Sequence, residues 1–212
     1  MALVIDIETV GQEPGSLAPR ALEILFQRLK DGEPDSDELE RRKRALVERF
    51  GLDPATGRIV CIGLLDLPRG WEKALCGNDE KRLLVDFWEW LRQFPPELFV
   101  TFNGKSFDFP FINLRSALLQ LTPSLPLPTR PYATSPHFDV REVLSAGDRS
   151  RPGTLEFFCT IFGIASPKAT LAGAQIGEAF RAGRLEEIAA YCLADCRATA
   201  ALYERLKPFY PP

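Results

Sequence analysis

The sequence predicts an α/β protein: a mixed five-stranded sheet flanked by helices, with a helical insert after the first strand. Two observations predict it. Strand-length runs bounded by polar or turn residues recur at 2–7, 58–67, 71–76, 97–102 and 137–140, the first of them apolar and β-branched. The second and third of these flank a turn signal, Pro68-Arg69-Gly70, whereas the later ones alternate with stretches of helical period. A hairpin followed by strand–helix alternation implies antiparallel and parallel pairing in one sheet.

The elements follow in order. ALVIDI (2–7) is a buried strand and RIVCIGLLDL (58–67) a longer one, turning into WEKALC (71–76). Asn78 is placed to cap a helix running to about Arg92, with Leu84, Phe87, Trp88 and Leu91 at i, i+3, i+4 and i+7. ELFVTF (97–102) is the next buried strand, and Pro110 stands where a first helical turn begins, continued by Ile112 to Leu121. Five prolines forbid regular structure over 122–136 before the short strand HFDV (137–140). Thr154 caps a helix to Ile161 closed by Gly163, and Arg184 to Leu206 form one long helix.

Between the first two strands lies the insert, residues 11–57. Leu22, Leu25, Phe26 and Leu29 form one apolar face, and Asp35 with Glu38 forms a capping box for a second helix carrying Leu39, Leu46 and Phe50. The expectation is a helical hairpin laid against the core. Its basic run, Arg41-Arg42-Lys43-Arg44, follows Asp37, Glu38 and Glu40 and reads as a solvated face with ion pairs rather than a phosphate track.

The 212 residues suit one domain, 1–212, with the insert inside it. A net charge of −3 argues against binding nucleic acid by bulk charge, but not against an acidic site neutralised by cations. Two carboxylates interrupt the N-terminal apolar run, and no run reaches membrane-span length, so the expectation is a cytoplasmic protein without a membrane partner. Five irregularly spaced cysteines without a C-x-x-C pair predict no disulfide framework.

Three stretches can carry chemistry. Asp6-Ile7-Glu8 places two carboxylates on one face of a strand, hard oxygen donors that suit Mg²⁺ or Mn²⁺. Asn103 to Asp108 follows a buried strand and opens a helix, where α/β sheets place ligand-binding groups. Tyr191 and Asp195, at i and i+4, share one helical face; Cys192 and Cys196 lie one residue round and read as packing residues. Each stretch alone has a plainer reading: ordinary strand-end acids, a helix N-cap, a chance pair.

In this order D-x-E, N-x-x-x-F-D and Y-x-x-x-D resemble the motifs of the DEDD superfamily of 3′–5′ exonucleases, with the ribonuclease-H-like fold. The tyrosine is similar to that of the DEDDy branch, which includes the proofreading domains of family A and B DNA polymerases. HFDVREVLS (137–145), SPKATLAG (166–173) and GRLEEIAAYCLADCRATAALY (183–203) resemble the stand-alone family-B-polymerase-like 3′–5′ exonucleases. The likeness is weakest at 11–57 and 122–136.

The resemblance implies a two-metal-ion hydrolysis of phosphodiesters at single-stranded DNA or RNA 3′ ends. It implies that Asp6, Glu8, Asp108 and Asp195 hold two divalent cations, Mg²⁺ or Mn²⁺, and that Tyr191 orients the attacking water. Among substrate contacts, Asn103 and Lys105 are candidates for the terminal nucleotide or a phosphate, Phe107 for a base, and Lys168 for a loop near the site. Asp139 is a candidate acid behind the ligands. No polymerase domain is present, so a polymerase or repair protein would act in trans. Two other readings stand beside this one: a non-catalytic adaptor on the same fold, and a metal phosphohydrolase for nucleotides or small phosphate esters.

Overall fold

The computed structural model describes residues 1–32, 34–148, 150–151, 153–165 and 173–212. Five strands form the sheet: β1 (Ala2–Gly11), β2 (Gly57–Asp66), β3 (Trp71–Cys76), β4 (Leu98–Thr101) and β5 (His137–Asp139). Their order is β3-β2-β1-β4-β5. β2 runs antiparallel to β1 and to β3, while β4 and β5 continue the sheet in parallel. The mixed sheet expected from the sequence is therefore present.

Strand alternation sends β1 side chains to both faces of the sheet. Leu3, Ile5 and Ile7 pack with Leu84, Phe87 and Leu91 of α3 (Glu80–Gln93) and with Phe109 and Ile112 of α4 (Asp108–Leu118). Val4 and Val10 face the opposite side, toward α8 (Leu185–Leu206). Asp6 lies between Val4 and Val10 in this alternation, so a carboxylate interrupts an otherwise apolar face beneath α8.

The long helix settles on the sheet because one strand residue has no side chain. Gly63 of β2 stands opposite Asp6, and a Cβ there would lie 2.8 Å from the Cys196 sulfur and 2.9 Å from that of Cys192. Both cysteines are fully buried, as packing residues are. On the other face, Glu80 accepts from the Ile59 amide at 2.7 Å and pairs with Arg115 at 2.6 Å, tying α3, α4 and β2 together in the interior.

Helix caps follow the sequence closely. Asp35 accepts from the Glu38 amide, Thr154 from the Phe157 amide at the start of α6 (Leu155–Phe162), and Gly163 closes that helix in the left-handed region. For α3 the cap is Asp79, one residue beyond the expected Asn78. Two short helices were not predicted, α5 (Val140–Ser145) and α7 (Ile176–Arg181), since neither completes two turns of period.

Two expectations are corrected. The insert does form two helices, α1 (Pro19–Gln27) and α2 (Ser36–Glu48), but none of their residues is buried, so they do not lie against the core as a hairpin. They hold each other instead: Arg42 donates to the carbonyls of Leu29 and Asp31, and Lys43 sits over the Phe26 ring. The insert enters the core through Phe50, on the turn that follows α2, where Gly51 meets Gly11 of β1. The amphipathic stripes were legible; that a neighbouring helix rather than the sheet would half-cover them was not. Arg41, Arg42 and Lys43 form ion pairs with Glu38 and Glu40, the solvated face expected of that run.

The second correction is a disulfide between Cys61 and Cys76. β2 and β3 place these residues directly opposite each other, with Cα atoms 4.1 Å apart. Sequence spacing carries no such information, because it is pairing register that brings the two sulfurs together. Among the described residues no helix is long and apolar enough to cross a membrane.

Gly63→Ala should destabilise the protein by about 1–3 kcal/mol, the usual cost of overpacking a closed contact. Urea denaturation measures it, and combining it with Cys192→Ala should recover part of the loss.

Candidate active site

Four elements deliver the site. β1 brings Asp6 and Glu8, with a register shift immediately after Glu8 that ends their regular pairing with β2. β4 stops at Thr101, and its pairing with β1 ends at Val4. The edge of β1 beyond that point is therefore open, and the Ile7 amide has no strand partner there. It donates instead to Asp108 Oδ1 at 3.1 Å. That bond puts the third carboxylate against the backbone between the first two. α8 brings Tyr191 and Asp195 from above, one turn apart on one face of the helix, where the Asp195 carboxylate acts on the Tyr191 hydroxyl.

The sequence-predicted core set is thus brought together: Asp6, Glu8, Asp108, Tyr191 and Asp195 act on one another electrostatically. Cys192 joins them unexpectedly. Its sulfur lies 3.4 Å from Asp6 Oδ2, and donor atoms of Asp6, Glu8 and Cys192 lie within 4.8 Å of one another. The i, i+4 pairing showed which face carries Tyr191 and Asp195. It could not show that the thiol one residue on would roof the Asp6 carboxylate.

Burial and like charge together decide the protonation of this cluster. Burial first, then Glu8, Asp195 and Asp108, push the Asp6 carboxyl far above the usual carboxylate range. Burial, then Asp195 and Asp108, do the same to Glu8. Asp108 rises to about 8, driven by burial and by the nearby Asp139 and Asp195, although its own amide and that of Ile7 hold it back. Burial, with Asp195, Glu8 and Asp6, also raises the Tyr191 hydroxyl, which keeps its proton. Carboxylates that ionise so reluctantly are balanced either by protons or by cations. An all-oxygen carboxylate set fits hard divalent ions.

The loop between β4 and α4 positions Asp108. Asp139, at the end of β5, is almost fully buried and accepts from the amides of Asn103 at 2.9 Å and Lys105 at 3.1 Å. Thr101 accepts from the Gly104 amide at 3.0 Å and donates to His137 Nε2 at 2.8 Å. His137 Nδ1 donates to the Pro128 carbonyl, and burial lowers the imidazole to about 4, so it is neutral. Gly104 has room for no side chain, since a Cβ would fall 2.4 Å from Thr101 Oγ1. Thr101 and Gly104 carried no signal in the sequence; Asp139 did, through its motif.

The remaining candidates lie in other settings. Asn103 has φ +71° and accepts from Arg141 through Oδ1. The Lys105 side chain is buried, its ammonium paired with Glu142 and the Ala133 carbonyl. Phe107 is half-buried beside Phe111, 5.5 Å between ring centroids. Lys168 lies outside the described residues.

A mixed sheet in this order, with acids gathered at the middle of its central strand and roofed by the last helix, has the ribonuclease-H-like architecture. The chain belongs to the RNase_H superfamily, whose family model matches residues 47–207, well over half of its length. It is 28% identical over 174 residues to a DNA polymerase of Desulfurococcus sp. (strain Tok), covering 75% of this chain and 21% of that one. A DNA polymerase of Pyrococcus glycovorans is 28% identical over 153 residues, covering 63% of this chain and 19% of that one. The structure of the family B DNA polymerase from Pyrobaculum calidifontis superposes with a TM-score of 0.65 at 19% identity, covering 98% of this chain and 24% of that one. The chain thus spans about a fifth of the length of the curated relatives it matches.

Without divalent cations, stability should fall as pH rises from about 4 to about 8. Asp108 has an ordinary value of 3.8 unfolded and about 8 folded, so the folded state binds the extra proton throughout that window. Urea denaturation in chelator at pH 5 and pH 8 tests this. Asp108→Asn should reduce the difference, with the raised Asp6 and Glu8 supplying the rest, and saturating Mn²⁺ should flatten it.

Proposed function

We propose that this chain is a metal-dependent 3′–5′ exonuclease that shortens single-stranded nucleic acid from its 3′ end, with DNA the favoured substrate. One observation carries the reading: four acids and a tyrosine, from three separate stretches of sequence, meet at one place and influence one another's ionisation. The likeness to DNA polymerases supports a nucleic-acid substrate, and with it a polymerase or repair protein as a partner in trans. The insert is read as part of a single domain, 1–212.

Asp6, Glu8, Asp108 and Asp195 would hold two divalent cations, Mg²⁺ or Mn²⁺. When bound, these supply the positive charge that lets a phosphodiester approach the acids and that makes a water nucleophilic at neutral pH. The chain's own groups do the rest. Asp108, fixed on the Ile7 amide, keeps its carboxylate at a constant position relative to Asp6 and Glu8. Tyr191 retains its proton and so serves as a hydrogen-bond donor that aims the attacking water, not as a base. Water adds to phosphorus and gives up a proton, the bond to the 3′ oxygen breaks and that oxygen takes a proton, so a nucleoside 5′-monophosphate is released and the shortened strand keeps a 3′ hydroxyl. Asn103 and Phe107 are proposed to contact the terminal nucleotide. Lys105 contributes through its backbone, since Glu142 and Ala133 hold its ammonium. Lys168 stays a candidate phosphate contact.

A 5′-labelled single-stranded oligonucleotide incubated with Mn²⁺ or Mg²⁺ should give a ladder shortening from the 3′ end, abolished by chelator. Asp6→Ala and Asp195→Asn should nearly abolish it, and Tyr191→Phe should slow it on the order of 10²-fold, the scale of a misaimed nucleophile. Cys192→Ala and Cys196→Ala should retain metal dependence. Equal, small effects across the acids and Tyr191 would refute the assignment. Hydrolysis of small phosphate esters alone would favour a phosphohydrolase, and no hydrolysis at all an adaptor.

A further inference from the structure

We propose that Asp139 is a positioning residue that acts through Asp108: it holds the loop after β4 in the one conformation that delivers Asp108 to the acid cluster, and so sets the affinity of the site for divalent cations. The proposal rests on the exonuclease reading only in taking Asp108 as a cation ligand.

The first ground is an accounting of backbone donors. A buried amide without an acceptor costs roughly 1–3 kcal/mol, so each N–H of this loop must find one. Asp139 Oδ1 takes the amide of Asn103 at 2.9 Å, and Oδ2 takes that of Lys105 at 3.1 Å. Thr101 Oγ1 takes Gly104 at 3.0 Å. The amides of Ser106 and Phe107 both close back on the Asn103 carbonyl, at 3.1 and 3.0 Å. The donors from Asn103 to Phe107 are all used, and the two that cannot be satisfied within the loop or by β4 go to Asp139.

The second ground is the conformation being held. Asn103 sits at φ +71°, a left-handed conformation that costs a side-chain-bearing residue energy and needs surrounding bonds to persist. Its amide bond to Asp139 and its side-chain bond from Arg141 supply them. From that turn the chain runs directly into α4, whose first residue is Asp108. Asp108 then reaches β1 through the bond from Ile7 N–H to Oδ1 at 3.1 Å. A shift of the turn moves that carboxylate relative to the Ile7 amide.

The third ground is the choice of a carboxylate. Asp139 also caps α5 by accepting from the Glu142 amide at 3.2 Å, which an asparagine could do as well. Accepting amides on both oxygens requires a carboxylate. His137, two residues earlier on the same face of β5, grips the same loop through Thr101 and is anchored to Pro128.

The test is a double-mutant cycle read by Mn²⁺ affinity, following free Mn²⁺ by electron paramagnetic resonance, with folding checked by near-ultraviolet circular dichroism. Asp139→Asn should weaken Mn²⁺ binding by about 10-fold or more, as removal of a ligand's supporting partner does. In an Asp108→Ala background the same substitution should change affinity by less than about 2-fold, since the residue it acts through is gone. Should Asp139→Asn fail to fold, Thr101→Val, which removes the acceptor for Gly104 from the same loop, goes through the same cycle with the same expectation. An equal loss in both backgrounds, no loss in either, or no Mn²⁺ binding by the wild-type protein would overturn the proposal. The parent reading fails separately. Mn²⁺ coupling without shortening of any oligonucleotide would sink the exonuclease and leave Asp139 in its role; shortening without coupling would do the reverse.

Discussion

The hydrogen bond from the Ile7 amide to Asp108 is the contact on which the rest of the site depends. It exists because β4 ends at Thr101 while β1 runs on to Gly11, leaving a strand edge with a donor and no strand beside it. A carboxylate from the first turn of α4 fills the gap. One backbone amide therefore does two jobs: it satisfies the sheet edge, and it sets a third acid between two that already point from β1. The acids are gathered by an unfinished ladder together with the loop that carries Asp108 to it.

That placement is electrostatically expensive. Burial alone pushes these carboxyls toward their neutral forms, and their mutual repulsion adds to it. The fold accepts the cost because the apolar clusters on the sheet's two faces and the buried Glu80–Arg115 pair hold β1, β2, α3 and α4 independently of the acids. A rigid frame can hold like charges at a fixed spacing, and a fixed spacing of anions is what a divalent cation recognises. The same rigidity reaches the Asp108 loop through β5, where neutral His137 and ionisable Asp139 take its donors between them.

α8 shows how packing and chemistry share one surface. Gly63 lets its cysteines descend onto β2, and that descent brings Tyr191 and Asp195 down to the level of Asp6. Cys192 packs, as expected, yet it also touches the Asp6 carboxylate, so the apolar and working strips of the helix are not separate. The insert stands apart from this economy. Its helices are tied through the turn between them and leave the core to Phe50, so its apolar stripes predicted helices correctly and their destination wrongly.

By itself the sequence determined the strands and most helix boundaries, and it singled out five residues that the fold gathers together. Those features are written in local pattern: period two around Asp6 and Glu8, period 3.6 around Tyr191 and Asp195, and caps at Asp35 and Thr154. Tertiary structure alone decided what depends on register and on the ends of strands. Cys61 meets Cys76 because β2 and β3 pair in one register. Lys105 turns inward to Glu142 because β5 and α5 lie beneath its loop. Asp108 finds Ile7 because β4 stops short. Local pattern fixes which way a side chain points along its own element; only the assembled sheet fixes what stands opposite it.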